Sequence, residues 1–352
     1  MRGLLGVFTE VAIAFLSVFG VFAPPLPHES SGDPQLIFEE VYRVGVLEGK
    51  DTEMFGDIRA VALTSEGYLF VGDKDTGSIH VFNKDGDYHA SFGSEGQGPG
   101  EFRSITSFAL SAEEDSLYVL DSQLRRMSVY TTDTFEHQRD VQLGFQSTFL
   151  LDQLGVYQQE DLFYTVGHVI GERTLIHFFD NQGELVRSIA EMQSIDDPRF
   201  DDEVIWNQVN NGEVVQATNG DLFAALRAPY RIWRVSSDGT PIWKRQDDVL
   251  PPPWEEHILF TPQQYEVTAY PEIYSLHQLG EDYLVVVYIN PEQDEGHYDL
   301  LNPETGEQVV RHAFPPEQRL RDLATVDGEY WCAIEVSEPF PQVRIARLEV
   351  SQ

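Results

Sequence analysis

Apolar and polar residues alternate in short runs along most of this chain, and the runs come in fours. The clearest set spans Ile58 to Phe92 and reads IRAVAL, YLFVGD, SIHVFN and DYHASF. Each run is β-branched or aromatic, and the breaks between them are Ser65-Glu66-Gly67, Asp75-Thr76-Gly77 and Lys84-Asp85-Gly86. Such breaks are turn formers, so the set predicts four short strands in one antiparallel sheet. No long segment repeats its apolar residues every 3.6 positions, which argues against a helical body.

The set recurs. One apolar position of the second strand tracks it through Leu69, Leu117, Leu162, Leu222, Leu284 and Trp331, at intervals of 48, 45, 60, 62 and 47 residues. Propeller blades run about 40 to 50 residues each. The two long intervals hold insertions: an acid-rich stretch from Ser194 to Glu203, and Gln246 to Gln264 with Pro251-Pro252-Pro253. Six units predict an all-β, six-bladed β-propeller over residues 36–352. After Trp331 one further strand remains, Gln342 to Val350, and an extra strand, Leu36 to Val46, precedes the first unit. Pairing these two would close the ring and leave no open edge at the seam. A β-sandwich could house the strands, but six similar units fit a ring better.

Ahead of the body, Leu4 to Ala23 is apolar except for Thr9, Glu10 and Ser17, with Arg2 before it. Residues 1–23 therefore predict a helix that is either a cleaved signal peptide or an uncleaved membrane anchor. Val21-Phe22-Ala23 resembles a cleavage site, whereas Pro24 opposes cleavage. Both readings place the body outside the membrane, periplasmic or extracellular, because the positive charge stays inside. Residues 24–35, rich in proline and serine, read as a linker.

Charge narrows the partners. Asp and Glu total 59 against 23 Lys and Arg, a formal net charge of −36, and only Lys50, Lys74, Lys84 and Lys244 are lysine. A surface of this sign repels phosphate backbones, so nucleic acid is not an expected partner. High salt would screen the self-repulsion, and the composition resembles that of proteins from salt-loving organisms. The single cysteine, Cys332, rules out an intrachain disulfide and lies in the apolar run Tyr330 to Ile334, which predicts a buried structural thiol.

Gly98-Pro99-Gly100-Glu101-Phe102, then Leu117-Tyr118-Val119-Leu120-Asp121, then Arg125-Arg126-Met127-Ser128-Val129-Tyr130 follow one another in the second unit. This resembles the NHL repeat, and Leu69 to Asp73 with Ile79 to Phe82 matches it in the first unit. The resemblance is good for two units and faint for four. It implies the propeller fold and a largely structural role for Asp73 and Asp121. Function it leaves open, because such propellers include binding scaffolds and enzymes.

The first strand of each blade should line the central channel. Arg59, Tyr274 and Arg321 each stand ten residues before a marker, and the motif alignment sets Thr106 beside them with Arg103 nearby. These five residues are the candidate ligand-binding mouth. Two converging arginines could clamp a carboxylate or phosphate, or could simply neutralise Asp57, Glu101 or Asp322. The expected function is a non-enzymatic, extracytoplasmic module that binds a protein or a small anionic ligand, with the membrane engaged through the N-terminal segment if that is retained. The alternative is a metal-dependent hydrolase, lactonase or lyase in the channel, for which His168 and His277 are the best-placed histidines. Only under that alternative is a cofactor, a divalent metal, expected. No HxxEH-type pair, GxSxG elbow or phosphate loop is present, so no catalytic residue is named.

Overall fold

The computed structural model describes residues 32–50, 52–144, 153–167, 169, 173–191, 212–226, 230–246, 258–260, 265–267, 272–290 and 294–351. The apolar segment 1–23, most of the linker, His168 and the acid-rich stretch 194–203 lie outside them. Every regular element among the described residues is a β-strand, and no helix there is long and apolar enough to cross a membrane.

Six four-stranded antiparallel sheets form six blades. Blade 1 comprises Ile58–Leu63, Leu69–Asp73, Ser78–Phe82 and Tyr88–Phe92. Blade 2 comprises Ile105–Leu110, Ser116–Asp121, Arg126–Thr131 and His137–Gln142. Blade 3 comprises Gln153–Tyr157, Leu162–Val166, Thr174–Phe179 and Leu185–Glu191. Blade 4 comprises Gly212–Gln216, Leu222–Leu226, Arg231–Val235 and Pro241–Gln246. Blade 5 comprises Glu272–Leu279, Tyr283–Asn290, Glu295–Leu301 and Gln308–Ala313. Blade 6 takes Gln318–Val326, Glu329–Val336 and Gln342–Ser351 from the end of the chain, and its outer strand is Gln35–Val44. That strand runs antiparallel to the last one, from Gln35 opposite Ser351 to Val44 opposite Val343, with a bulge at Val41. A small hairpin, Ile258–Phe260 with Tyr265–Val267, stands between blades 4 and 5.

The six marker positions all fall in second strands and are buried. Six apolar clusters fill the structure, one between each pair of neighbouring blades, including the pair formed by blades 6 and 1. Alternation explains this: one face of each sheet packs on the preceding blade and the other on the next. Gly72 shows how close the approach is, since a Cβ there would stand 2.8 Å from Phe108 and 2.9 Å from Ile105 of blade 2. Cys332 is buried between blades 5 and 6, and burial pushes its thiol up to about 12.

The inner strands neighbour one another around a closed circuit. Each blade's outer strand ends where its inner strand began, so the inner strands run in one sense along the channel. Side chains pin several of them together. Ser107 Oγ accepts from Leu154 N at 3.1 Å, and the Gln153 amide exchanges two bonds with the Val214 backbone at 2.7 and 2.8 Å. His277 Nε2 donates to Leu320 O at 3.1 Å, and Asp322 Oδ2 accepts from Leu63 N at 2.7 Å.

Candidate functional site

The six inner strands enclose a cavity of about 660 Å³ that extends along the channel. Its wall includes Arg59, Thr106, Tyr274 and Arg321, which stand near the starts of the first strands of blades 1, 2, 5 and 6.

These four share a backbone feature. The pairing of inner with second strand skips a residue between Ile58 and Ala60, between Ile105 and Ser107, between Ile273 and Ser275, and between Leu320 and Asp322. Arg59, Thr106, Tyr274 and Arg321 are therefore the extra residues of four β-bulges at one register. A bulge bends its strand and re-aims the side chain it carries. The residue before each bulge, Ile58, Ile105, Ile273 or Leu320, is buried and anchors it. Among the described residues blade 4 pairs without a break from Gly212 to Gln216, and blade 3 does so from Gln153 to Tyr157, the residues before Gln153 lying outside them. The four bulged blades are consecutive in the ring, in the order 5, 6, 1, 2, and form one continuous arc of the mouth.

Each arginine of the arc has a partner. Arg59 Nε donates to Asp57 Oδ2 at 2.9 Å, as the ion-pair reading expected. Arg321 does not turn to Asp322; its Nε donates to Glu335 Oε2 at 2.6 Å. Glu335, buried at the end of the second strand of blade 6, also accepts from Arg319 Nη1 at 3.1 Å and from Ser337 Oγ at 3.1 Å. Arg319 lies over the Tyr274 ring, 4.8 Å from its centroid, and reaches the hydroxyl at 3.4 Å. Thr106 Oγ1 meets Ser122 Oγ at 2.6 Å. Arg103 is not part of the cavity wall; its Nε meets the Gln97 amide oxygen at 3.0 Å once that amide is oriented to accept it. The entry loop, not Glu101, holds Arg103.

Similarity to known proteins bears on the fold. Residues 31–193 match the profile of a family described as 6-bladed beta-propeller. No curated protein matches the sequence. Among solved structures, a presumed exported protein of Bacteroides fragilis is 13% identical with a TM-score of 0.60, covering 92% of this chain and 97% of its own. A member of the DUF4221 family from Bacteroides vulgatus is 8% identical with a TM-score of 0.59, over 91% of this chain and 99% of that one. The WD40 repeats of RRP9 are 11% identical with a TM-score of 0.53, over 90% and 100%. At these identities the likeness establishes the fold: the chain is a six-bladed β-propeller.

The channel holds titratable groups that the candidate set omitted. Asp322 is pushed up to about 7, chiefly by burial, with the Glu114 charge adding to it. Its two oxygens accept from Leu63 N and Leu323 N. Burial also holds His277 down at about 4, against the Leu320 carbonyl that favours its charged form. At the far end, Glu114 Oε2 accepts from Ser65 N and Ser65 Oγ, both at 2.8 Å. Among the described residues no group of three or more His, Cys, Asp or Glu side chains is placed to hold a metal ion. Asp73 and Asp121 have the structural role that the repeat implied. Each is buried and accepts backbone N–H bonds, Asp73 from Gly56, Asp57 and Asp75, and Asp121 from Arg103, Ser104 and Leu124.

Arg319, Glu335 and Ser337 were missed by sequence reasoning. Arg319 is visible in hindsight as the residue two before the bulge. Glu335 and Ser337 lie at a strand end with no spacing signal, and only the fold brings them to the arc.

Proposed function

We propose that this chain is an extracytoplasmic binding module whose ligand, a small anion, docks at the arc of the channel mouth formed by Arg59, Thr106, Tyr274 and Arg321. One observation carries the reading: four consecutive blades place a bulge at the same register, and every bulged residue faces one cavity. Blade 4 joins the ring with no bulge at that register among the described residues. Guanidinium groups recognise carboxylate and phosphate oxygens with paired N–H donors. Arg59 spends Nε on Asp57 and has no other bond among the described residues, whereas Arg321 meets Glu335 through both Nε and Nη2.

The apolar N-terminal segment and the fold shared with a presumed exported protein support a place outside the cytoplasm. We further propose that Gln35–Val44, paired into blade 6, is the strand that closes the ring and holds blade 6 against blade 1.

Calorimetric titration with a panel of small carboxylates and phosphates tests the binding reading. Wild type should bind at least one of them, and Arg59→Ala and Arg321→Ala should each weaken that binding while the protein stays folded. Binding that survives both changes unaltered would refute it.

A further inference from the structure

The cavity wall is polarised along the channel. Among the described residues its charged side chains are Arg59 and Arg321 on one hand and Asp322, Glu213 and Glu114 on the other. Both arginines stand at the mouth, on bulges. All three carboxylates stand deeper. Asp322 is the first residue after the bulge at Arg321, and Glu114 lies at the far end with Ser65. Glu213 pairs with Ala225 as Ser275 pairs with Val287, each partner three residues past its marker, Leu222 or Leu284. Glu213 therefore shares the tier of Ser275, the first residue after the bulge at Tyr274. Asp57 and Glu335, which hold the two arginines, are not part of that wall. His277 brings no charge to it at neutral pH, since burial holds the ring down at about 4 and Nε2 donates to Leu320 O.

The tier beneath the arc is thus built from oxygen on three consecutive blades: Glu213 on blade 4, Ser275 on blade 5 and Asp322 on blade 6. Ser275 marks where a ligand group belongs. It is 6% exposed and lines the cavity, yet its Oγ has no hydrogen-bond partner. At the same position of blades 2 and 6 the side chain is bonded to the next blade, Ser107 to Leu154 N and Asp322 to Leu63 N. A buried hydroxyl left without a partner is destabilising unless something binds it. Asp322 also has capacity to spare. It accepts two backbone N–H bonds, whereas an ionised carboxylate offers about four lone-pair sites. Burial holds its carboxyl up at about 7, and a cation beside it would favour the charged form.

From this polarity we infer that the ligand of the mouth is a small zwitterion of the amino-acid class, its carboxylate on Arg59 and Arg321 and its ammonium one tier deeper, at Ser275 and Asp322. The inference rests on the reading of the mouth as an anion site. An ammonium carries three donors and no acceptor, which suits a tier made of oxygens. Successive residues along a strand are about 3.3 Å apart, so the two charges of the ligand belong within a few bonds of each other, as in an α- or β-amino acid. A simple carboxylate would engage the arginines and leave Ser275 Oγ unpaired.

Isothermal titration of the full chain with glycine, β-alanine and acetate tests this. It is run at about pH 8, where Asp322 is ionised and an aliphatic amine keeps its proton. At least one of the two amino acids should bind about tenfold or more tighter than acetate. Ser275→Ala removes one acceptor, and Asp322→Asn removes the charge while keeping an oxygen for Leu63 N. Each should cut the preference to about threefold or less, with acetate binding and the circular dichroism spectrum unchanged. If Asp322→Asn does not fold, Ser275→Ala decides alone. Acetate bound as tightly as both amino acids, or a preference that Ser275→Ala leaves untouched, overturns the zwitterion and leaves the mouth as an anion site. No binding of any of the three overturns both readings.

Discussion

Blades 5, 6, 1 and 2 carry one extra residue at the start of the inner strand, and blade 4, paired without a break from Gly212 to Gln216, does not among the described residues. Side chains beside that register are used for construction: in blade 3 the Gln153 amide clamps the Val214 backbone of blade 4 through two hydrogen bonds. Where the extra residue is present, the bulged side chain is turned to the channel, and the next residue takes over the construction in blades 2 and 6, as Ser107 and Asp322 show. A bulge separates the two duties by moving them to adjacent residues.

The arc crosses the seam between blades 6 and 1, whereas blades 3 and 4 do not touch it, so breaking the closure should strike the arc first. Deleting 35–44 removes the outer strand of blade 6 and exposes a ladder of unpaired backbone groups beside apolar side chains. The expected result is aggregation and loss of the cooperative melting transition. A truncated protein that stays soluble with an unchanged melting temperature would show that the seam is held by other means.

Within the ring, Glu335→Ala should leave Arg319 and Arg321 without their shared carboxylate. Breaking a buried ion pair costs about 3–5 kcal/mol, and because these arginines are partly exposed the expected loss is about 2–3 kcal/mol. In blade 3, Gln153→Ala forfeits two bonds to one backbone and should cost about 1–2 kcal/mol. Urea unfolding of the two variants ranks them. The reverse order would mean that the arc is the less tightly built region.

Acidity separates the same regions. Asp322 titrates near 7 when folded and near 4 when unfolded, so the folded state holds its proton more tightly. Its contribution to stability is therefore greatest below about pH 4, falls as pH rises, and is spent above about pH 7. Asp322 is partly exposed at the cavity wall, and solvent screening reduces the effect to roughly 2 kcal/mol. His277 works in the opposite sense: held at about 4 against the ordinary 6.5, it costs stability as pH falls from about 6.5 to about 4. Subtracting the pH profile of Asp322→Asn from that of wild type isolates the first term. Parallel profiles would show that Asp322 titrates alike in the folded and unfolded states.

The smallest effect expected per charge is that of salt, and it should split the arc from the rest of the surface. Raising sodium chloride from about 0.1 M to about 1 M shortens the Debye length from about 10 Å to about 3 Å. With a net charge of −36, the melting temperature should rise by several degrees, while anion binding at the arc should weaken as the charges of Arg59 and Arg321 are screened. A flat melting temperature would remove the case for adaptation to salt.

Much of this was legible before the structure, and the reasons are local. Period-2 alternation and the turn tripeptides of residues 58–92 mark four strands, and the recurrence of Leu69 as Leu117, Leu162, Leu222, Leu284 and Trp331 sets the blade count. Counting ten residues back from a marker found Arg59, Tyr274 and Arg321, because the bulge adds the same single residue in each of those blades. It could not show that they were bulged. A cue exists in the buried Ile or Leu immediately before each one, which blade 4, beginning Gly212-Glu213, lacks. Partners were another matter. Asp322 is adjacent to Arg321 in sequence, yet alternation along a strand turns neighbours apart, and Glu335 arrives from the second strand instead. Nothing in the spacing of Arg319, Glu335 and Ser337 announces a cluster.

The claim at the centre of this account is that the bulged arc, and not the wall of blades 3 and 4, receives the ligand. The most direct measurement is a crystal structure of the protein grown with hydrogen phosphate or succinate. The account predicts the anion at the mouth, within hydrogen-bond distance of both Arg59 and Arg321, with those side chains turned to the same end of the channel. An anion seated against Gln153 and Glu213, or arginines pointing to opposite faces of the ring, would contradict it.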